Sequence, residues 1–194
     1  MKLALFLSLL VICLSDGVVH LPNSVKLTWE FLNEERVRFT YSLPGDIFED
    51  FDWGGIGFKE VTDIGGMGGA DIVNFIFEDP AADCYAFESG APDYDVEIGG
   101  TKDLLNPFVF VLPDGVKSQW ERKLKTDDIY DKQFVKGETY RLLWAFGKKN
   151  NLTGEQLQHA DDTRGTLDII FTDDFYNDEL LGVVLSLDRL TNQA

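Results

Sequence analysis

Apolar and polar residues alternate with a period of two along several short runs of this chain. In the runs SVKLTWEF (24–31) and RVRFTYSL (36–43), apolar and aromatic residues stand at every second position. This alternation is typical of half-buried β-strands, and the short polar segment between the runs predicts a hairpin. The runs WGGIGF (53–58) and ADIVNFIF (70–77) predict a second pair of strands around a glycine-dense loop.

Further short runs with a strand-like composition follow in the rest of the chain. The pattern predicts strands at 94–98, 108–112, 119–126, 139–147 and 166–171. A helical turn is expected only within 127–138, and the run LLGVVLSL at 180–187 predicts a final strand or a short helix. About ten closely spaced strands without helical periodicity predict an all-β fold, an antiparallel β-sandwich or barrel. Its binding site is expected on loops at one end or between the sheets.

The first residues, MKLALFLSLLVICLS, have the composition of a secretory signal peptide, with a lysine, an unbroken apolar run and then small residues. Cleavage after Ser15 or Gly17 would remove the signal peptide, 1–17, and leave 18–194 as a single secreted, extracellular domain. An uncleaved N-terminal anchor is the alternative. No other segment approaches the roughly 20 apolar residues that a transmembrane helix needs, so no transmembrane segment is expected.

Composition and charge exclude some classes of partner. The formal net charge of −17 argues against binding to nucleic acid or to an anionic membrane surface, because both require clustered basic residues. A basic partner would be steered toward such a surface. Removal of the signal peptide leaves Cys84 as the one cysteine, so we expect no internal disulfide and interpret Cys84 as a buried, small apolar residue.

Two residues suggest metal chemistry. Met67 is the only methionine besides the initiator and stands in the glycine-dense loop, and His159 is the only histidine outside the N-terminal region. A thioether sulfur and an imidazole nitrogen together are axial ligands of low-spin electron-transfer haem. The glycines around Met67 would let the backbone approach a flat macrocycle, and Trp53, Phe58 and Trp144 are expected to wall such a pocket. Core packing of Met67 and solvation of His159 are the alternatives.

The order of several motifs resembles the DOMON domain family. The resemblance rests on a tryptophan followed by GIGF, then MGGADIV, GAPDYD, WERKLKTDDIYD, LLWAFG, and a histidine followed by RGTLDI, and it covers residues 24–172. That module occurs in relatives of dopamine beta-hydroxylase, in the cytochrome domain of cellobiose dehydrogenase, and beside membrane b-type cytochromes. The resemblance implies an immunoglobulin-like β-sandwich. Members bind b-type haem in one branch, and sugars or no known ligand in others.

The haem-binding branch, by this resemblance, carries its axial methionine at the position of Met67 and its axial histidine at the position of His159. With both axial positions filled by protein, the iron has no open site, so the resemblance implies haem b and one-electron transfer by a module that is not an enzyme. The expected partner is a redox protein with a basic surface, or a membrane b-type cytochrome. The sequence lacks the cysteines of many secreted members, and we expect the module to act free-standing, without an attached flavin domain, copper domain or membrane cytochrome.

A secreted binding module without redox chemistry is the main alternative. Trp120 and Tyr94 are candidate platforms for a glycan, and a protein is the other class of ligand for such a module. The run DYDVEIGG resembles the start of an EF-hand calcium loop, but an isoleucine stands where the sixth-position glycine should be. The acidic pair Asp161 and Asp162 is more readily explained as solvated than as liganding calcium.

Motifs of hydrolases are absent from the sequence. It contains neither a G-x-S-x-G nucleophile elbow nor an HExxH zinc motif, so His159 would be the sole base of any such enzyme. Asn151 begins the sequon NLT on a polar loop. In an exported eukaryotic protein this asparagine is expected to carry a glycan.

Overall fold

Two β-sheets of six strands each make up the part of the chain that the structure describes. The structure is a computed structural model, and it describes residues 16–63, 65–77 and 80–177. Its strands are β1 Gly17–His20, β2 Lys26–Asn33, β3 Arg36–Pro44, β4 Trp53–Glu60, β5 Ala70–Ile76, β6 Ala82–Ala86, β7 Asp93–Tyr94, β8 Leu105–Leu112, β9 Gly115–Lys123, β10 Thr139–Gly147, β11 Arg164–Ile170 and β12 Tyr176–Asn177. A short helix, α1 Gly45–Asp50, follows β3, and 3₁₀ turns occupy Pro22–Ser24, Asp95–Glu97 and Asp161–Thr163.

The first sheet has the strand order β12-β1-β2-β3-β9-β8, and the second has the order β11-β10-β4-β5-β6-β7. Neighbouring strands are antiparallel, except that β1 runs parallel to β12. The second sheet places β4 between β5 and β10, with Gly55 opposite Asn74 on one side and opposite Ala145 on the other. Because side chains at paired positions point to the same face, these three residues share the outer face of the sheet.

The inner faces of both sheets form one apolar core. The ring of Phe39 stacks on Trp120 with centroids 5.5 Å apart and on Phe171 with centroids 6.0 Å apart. Trp29 donates its indole N–H to the carbonyl of Thr172 at 2.7 Å, which satisfies its one polar atom inside the core. Trp120 is fully buried. The expectation that Trp120 offers a flat face to a glycan is therefore wrong.

The predicted all-β sandwich is confirmed, and so are the hairpin of β2 with β3, the pairing of β4 with β5, and the strand at 139–147. Two local predictions are wrong. The strand predicted at 94–98 is only β7, because Asp95–Glu97 turns into a 3₁₀ helix. The helical turn predicted within 127–138 is absent from that described segment, while the helix α1 forms where none was predicted. The run at 180–187 lies outside the described residues.

The position of strand β1 distinguishes the two predicted cleavage sites of the signal peptide. Residues 1–15 lie outside the described part, so the signal peptide and export stay predictions. Gly17 already belongs to β1 and lies opposite Trp29, where a Cβ would overlap the indole ring. Cleavage after Ser15 would keep this contact, and cleavage after Gly17 would remove it. Among the described residues, no helix has the length and apolar character needed to span a bilayer.

Candidate functional site

A cleft of about 730 Å³ lies on the outer face of the second sheet. Its floor consists of residues of β4, β5 and β10 whose side chains point away from the inter-sheet core, namely Gly55, Gly57, Ile72, Asn74, Leu143 and Ala145. Pockets for cofactors and small ligands have volumes of about 300–1,000 Å³. This cleft is the candidate functional site. The position of the cleft differs from the expected one between the sheets or on loops at one end, because loops from both ends of the second sheet line it.

Glycine keeps the centre of the floor open. A Cβ built on Gly55 would meet no atom closer than the Val73 carbonyl oxygen at 3.8 Å, so this position faces free space. On the same outer face, Ile72, Leu143 and Cys84 belong to a small apolar cluster that is separate from the inter-sheet core. The predicted burial of Cys84 is confirmed, and burial raises the pKa of its thiol, which therefore stays protonated. The floor is largely apolar and is open at Gly55.

A buried lysine holds the loop that carries Met67. This loop joins β4 to β5. Met67 packs against the small apolar cluster that includes Ile72 and Leu143. Lys59 lies at the end of β4, is only 4% exposed, and donates from Nζ to the carbonyl oxygens of Gly66 at 3.2 Å and Gly68 at 2.6 Å. These two carbonyls flank Met67 in the chain. The ammonium group therefore fixes the backbone on both sides of the methionine.

Replacing Lys59 by methionine should loosen this loop. The variant keeps an unbranched side chain but loses two charge-assisted hydrogen bonds, and we expect the free energy of unfolding to fall by about 2 kcal/mol. Urea unfolding measures the loss, and amide hydrogen exchange should show lower protection at residues 65–69. Lys117→Met, at an exposed position of β9, is the matched control. Equal behaviour of the two variants would contradict the role of Lys59.

His159 lies in the loop between β10 and β11, and three contacts fix that loop over the sheet. Trp53 donates its indole N–H to the carbonyl of Lys148 at 3.0 Å, and its ring centroid lies 6.2 Å from that of His159. The side-chain amides of Asn74 and Gln156 exchange two hydrogen bonds of 3.2 Å. The loop is thus tied to the floor of the cleft on β5 and to the first residue of β4.

The two loops arise at opposite ends of the second sheet. In the antiparallel pair of β4 and β10, Glu60 lies opposite Tyr140 and Trp53 lies opposite Gly147. The loop of Met67 follows Glu60, whereas the loop of His159 follows Gly147. Both loops fold over the outer face, and Met67 and His159 line the same cleft. The fold therefore brings together two residues that stand far apart in the sequence.

The sequence model of the DOMON domain matches residues 22–147, which include the floor of the cleft and the loop of Met67. This chain belongs to the DOMON domain family. The matched segment ends with β10, so His159 and β11 lie beyond it.

Solved structures similar to this DOMON domain include two cytochrome domains. The cytochrome domain of Myriococcum thermophilum cellobiose dehydrogenase has 15% sequence identity and a TM-score of 0.45, over 87% of this chain and 94% of that chain. The cytochrome b domain of pyranose dehydrogenase from Coprinopsis cinerea has 10% identity and a TM-score of 0.49, over 82% of this chain and 83% of that chain. No curated protein sequence matches the chain.

The aromatic residues predicted to wall the pocket have different positions. Trp53 lines the cleft of the DOMON domain beside His159. Trp144 borders the cleft, but its ring stacks on Phe146 in the inter-sheet core at 5.6 Å. The prediction that Phe58 walls the pocket is wrong. Its side chain points to the inner face of β4, where it is 1% exposed and contacts the ring of Phe134 edge to face, so it does not line the cleft.

The donor atoms in the cleft fit a haem group. Nδ1 of His159 is buried and has no hydrogen-bond partner among the described residues. A buried polar atom without a partner is costly, and an imidazole nitrogen in that state is able to bind a metal ion. Thioether and imidazole are both neutral ligands that haem iron accepts. With the open floor at Gly55, these features match the cofactor that the family resemblance implies.

Three residues of the site were not predicted from the sequence. Lys59, Asn74 and Gln156 hold the two loops but do not stand in any motif. The position of Lys59 was the signal that could have revealed its role. It is a charged residue at an outward-facing position just before a glycine-dense loop, and the free carbonyl groups of such a loop need hydrogen-bond donors. The pairing of Asn74 with Gln156 bridges 82 positions and carries no sequence signal. Asn151, the predicted glycosylation position, is exposed on the loop that also carries His159.

Proposed function

We propose that this DOMON domain binds haem b in the outer cleft and transfers single electrons, with Met67 and His159 as the axial ligands. The observation that carries the proposal is that these two residues, from loops at opposite ends of the sheet, line one cleft of suitable size. Membership of the family supports it, because one branch of DOMON domains binds b-type haem. Bound haem would supply a one-electron iron couple.

The residues of the chain would then have separate tasks. Lys59 fixes the backbone around Met67, and Trp53 with the Asn74–Gln156 pair fixes the loop of His159. Met67 and His159 would hold the iron, while Ile72 and Leu143 exclude water beneath the macrocycle. Arg164 lines the same cleft and is paired with Asp161 at 2.6 Å, and its guanidinium is suited to an acidic substituent of the porphyrin.

The charge of the protein supports a basic electron-transfer partner. The formal net charge is −17, and acidic surfaces attract positively charged proteins through interactions that salt screens. A redox protein with a basic face, or a membrane b-type cytochrome with a basic loop, fits this chemistry. The rate of electron exchange should therefore fall as ionic strength rises.

A haem titration with a blocked cleft tests the proposed function. The purified chain should bind one haem and show the absorption spectrum of a six-coordinate, low-spin iron. In Gly55→Val, the new side chain projects from the floor into the cleft. Its Cβ would clash with nothing, because the nearest atom, the Val73 carbonyl oxygen, lies 3.8 Å away. We expect this variant to fold as the wild type does and to bind haem more weakly by at least about tenfold, which corresponds to 1.4 kcal/mol.

A matched variant checks that weaker haem binding in Gly55→Val results from the blocked cleft. Thr40→Val changes a residue of β3 in the other sheet, whose hydroxyl accepts a hydrogen bond from Gln119, and it should leave haem binding unchanged. Equal affinity of the wild type and Gly55→Val would place any bound haem elsewhere and overturn the proposal. Binding of an oligosaccharide without haem absorbance would favour the non-redox alternative.

A further inference from the structure

A group of aspartates is buried at the end of the sandwich, outside the haem cleft. We call it the aspartate cluster, and it consists of Asp71 on β5, Asp83 on β6, Asp95 in the 3₁₀ turn after β7, and Asp131 in the segment before β10. All four residues are at most 6% exposed. Buried carboxylates are rare unless they are paired or bind a metal ion.

The carboxylate oxygens lie close enough together to share one cation. One oxygen each from Asp71, Asp83 and Asp131 lies within 4.8 Å of the others. Calcium–oxygen distances are about 2.4 Å, so oxygens up to about 4.8 Å apart can contact the same ion. Calcium takes about six to eight oxygen ligands in flexible geometry, whereas magnesium usually keeps several waters and binds one or two carboxylates. A group of buried aspartates therefore favours calcium.

Asp95 supplies a second, independent indication. Its side chain is 1% exposed, and neither of its carboxylate oxygens has a hydrogen-bond partner among the described residues. It comes from a separate turn, and burial followed by the negative charges of Asp83 and Asp71 raises its pKa, so it lies near those carboxylates. Both oxygens of Asp131 and one oxygen each of Asp71 and Asp83 also lack hydrogen-bond partners, and of these Asp131 Oδ1 is in an ion pair with Arg122. The other five buried oxygens are available as ligands.

The neighbouring cation does not neutralise the cluster. Arg122 donates from Nη1 to Asp71 Oδ2 at 2.5 Å, and its Nη2 lies 3.3 Å from Asp131 Oδ1 without hydrogen-bond geometry. One guanidinium facing four carboxylates leaves three negative charges uncompensated when all are ionised. Burial raises the pKa of Asp83 to about 7 and that of Asp95 to about 8. Ionised carboxylates are therefore costly here without further positive charge.

We propose that the aspartate cluster is a binding site for a calcium ion. The ion would take its ligands from the partnerless carboxylate oxygens, while Arg122 keeps its contacts with Asp71 and Asp131 on another side of the group. The site ties β5, β6, the turn after β7 and the segment before β10 to one another. Calcium would thereby stabilise the end of the sandwich that carries these elements, independently of whether haem is bound.

The test is a titration of the purified, haem-free chain with calcium chloride. Calorimetry should show one bound calcium ion with a Kd no weaker than about 1 mM, the upper limit for extracellular calcium modules. Thermal unfolding should occur at a higher temperature in calcium than in EDTA. Magnesium chloride at the same concentration should bind at least about tenfold more weakly, because magnesium gives up its bound waters less readily than calcium.

Two variants test whether calcium binds at the aspartate cluster. Asp95→Asn should weaken calcium binding by more than about tenfold, yet unfold in EDTA at the same or a higher temperature than the wild type, because it removes a buried charge. Asp127→Asn, an exposed carboxylate beside Asp128 in sequence, should bind calcium as the wild type does. The proposal is overturned if calcium produces no heat and no stabilisation. Equal effects of calcium and magnesium, or equal binding by the two variants, would overturn it as well.

Discussion

Replacing His159 by alanine is expected to reduce the affinity of this DOMON domain for haem by more than about tenfold, a loss of at least 1.4 kcal/mol. The variant removes the imidazole whose Nδ1 is buried without a partner and leaves Met67 as the only axial ligand on the cleft wall. Any haem that still binds should be five-coordinate. Haem titration followed by visible absorption measures both the affinity and the spin state.

Met67→Leu provides the matched change on the other side of the cleft. Leucine has nearly the same volume as methionine, so the fold should be preserved while the sulfur ligand is lost. We expect a five-coordinate spectrum and a smaller loss of affinity, because the imidazole is the stronger of the two ligands. Wild-type spectra in both variants would refute axial ligation by these residues, even if haem is bound.

Replacing Arg122 by methionine is expected to lower the free energy of unfolding by about 3–5 kcal/mol, the cost of removing one partner of a buried ion pair. Arg122 is 1% exposed, donates to Asp71 and to the carbonyl of Lys132, and lies 5.0 Å from the centre of the Phe134 ring. Methionine fills much of the same volume but leaves Asp71 and Asp131 without a counter-charge. Urea unfolding monitored by tryptophan fluorescence measures the loss.

Arg38→Met is the control for this prediction. Arg38 also pairs with two carboxylates, those of Glu30 and Glu121, but its side chain is 34% exposed. Pairs in contact with solvent contribute about 1 kcal/mol or less. A similar loss of stability in the two variants would show that burial of Arg122 does not set the strength of its interactions.

The hydrophobic pattern predicted the central strands of the sandwich better than its edges. Strands β2 and β3 have alternating residues because one face of each is buried, and strand β10 is a continuous apolar run because both of its faces are largely covered. Strand β7 is two residues long and β1 is four, so neither contains enough residues to establish a period. The helix α1 was missed because it has only six residues, of which Ile47 alone is buried.

The chemistry of the cleft was only partly predictable. Met67 and His159 were selected by residue type and by resemblance to a family, but only strand pairing brings them to one cleft. Phe58 was misplaced because its neighbours Gly57 and Lys59 lie on the outer face of the sheet, and a shift of one residue moves a side chain to the other face of a strand. The aspartate cluster was not predicted because Asp71 and Asp83 stand singly among apolar residues, Asp131 stands in an acidic run typical of solvated surface, and only the fold brings them together.

The cleft lies outside the inter-sheet core, and the apolar cluster beneath it is separate from that core. Folding of the polypeptide is therefore separable from binding of the haem proposed above. A newly made chain can complete its sandwich without porphyrin, and the supply of porphyrin would then decide how many copies are redox-active. The loaded copies would be the more stable, because a ligand that binds only the folded state stabilises it.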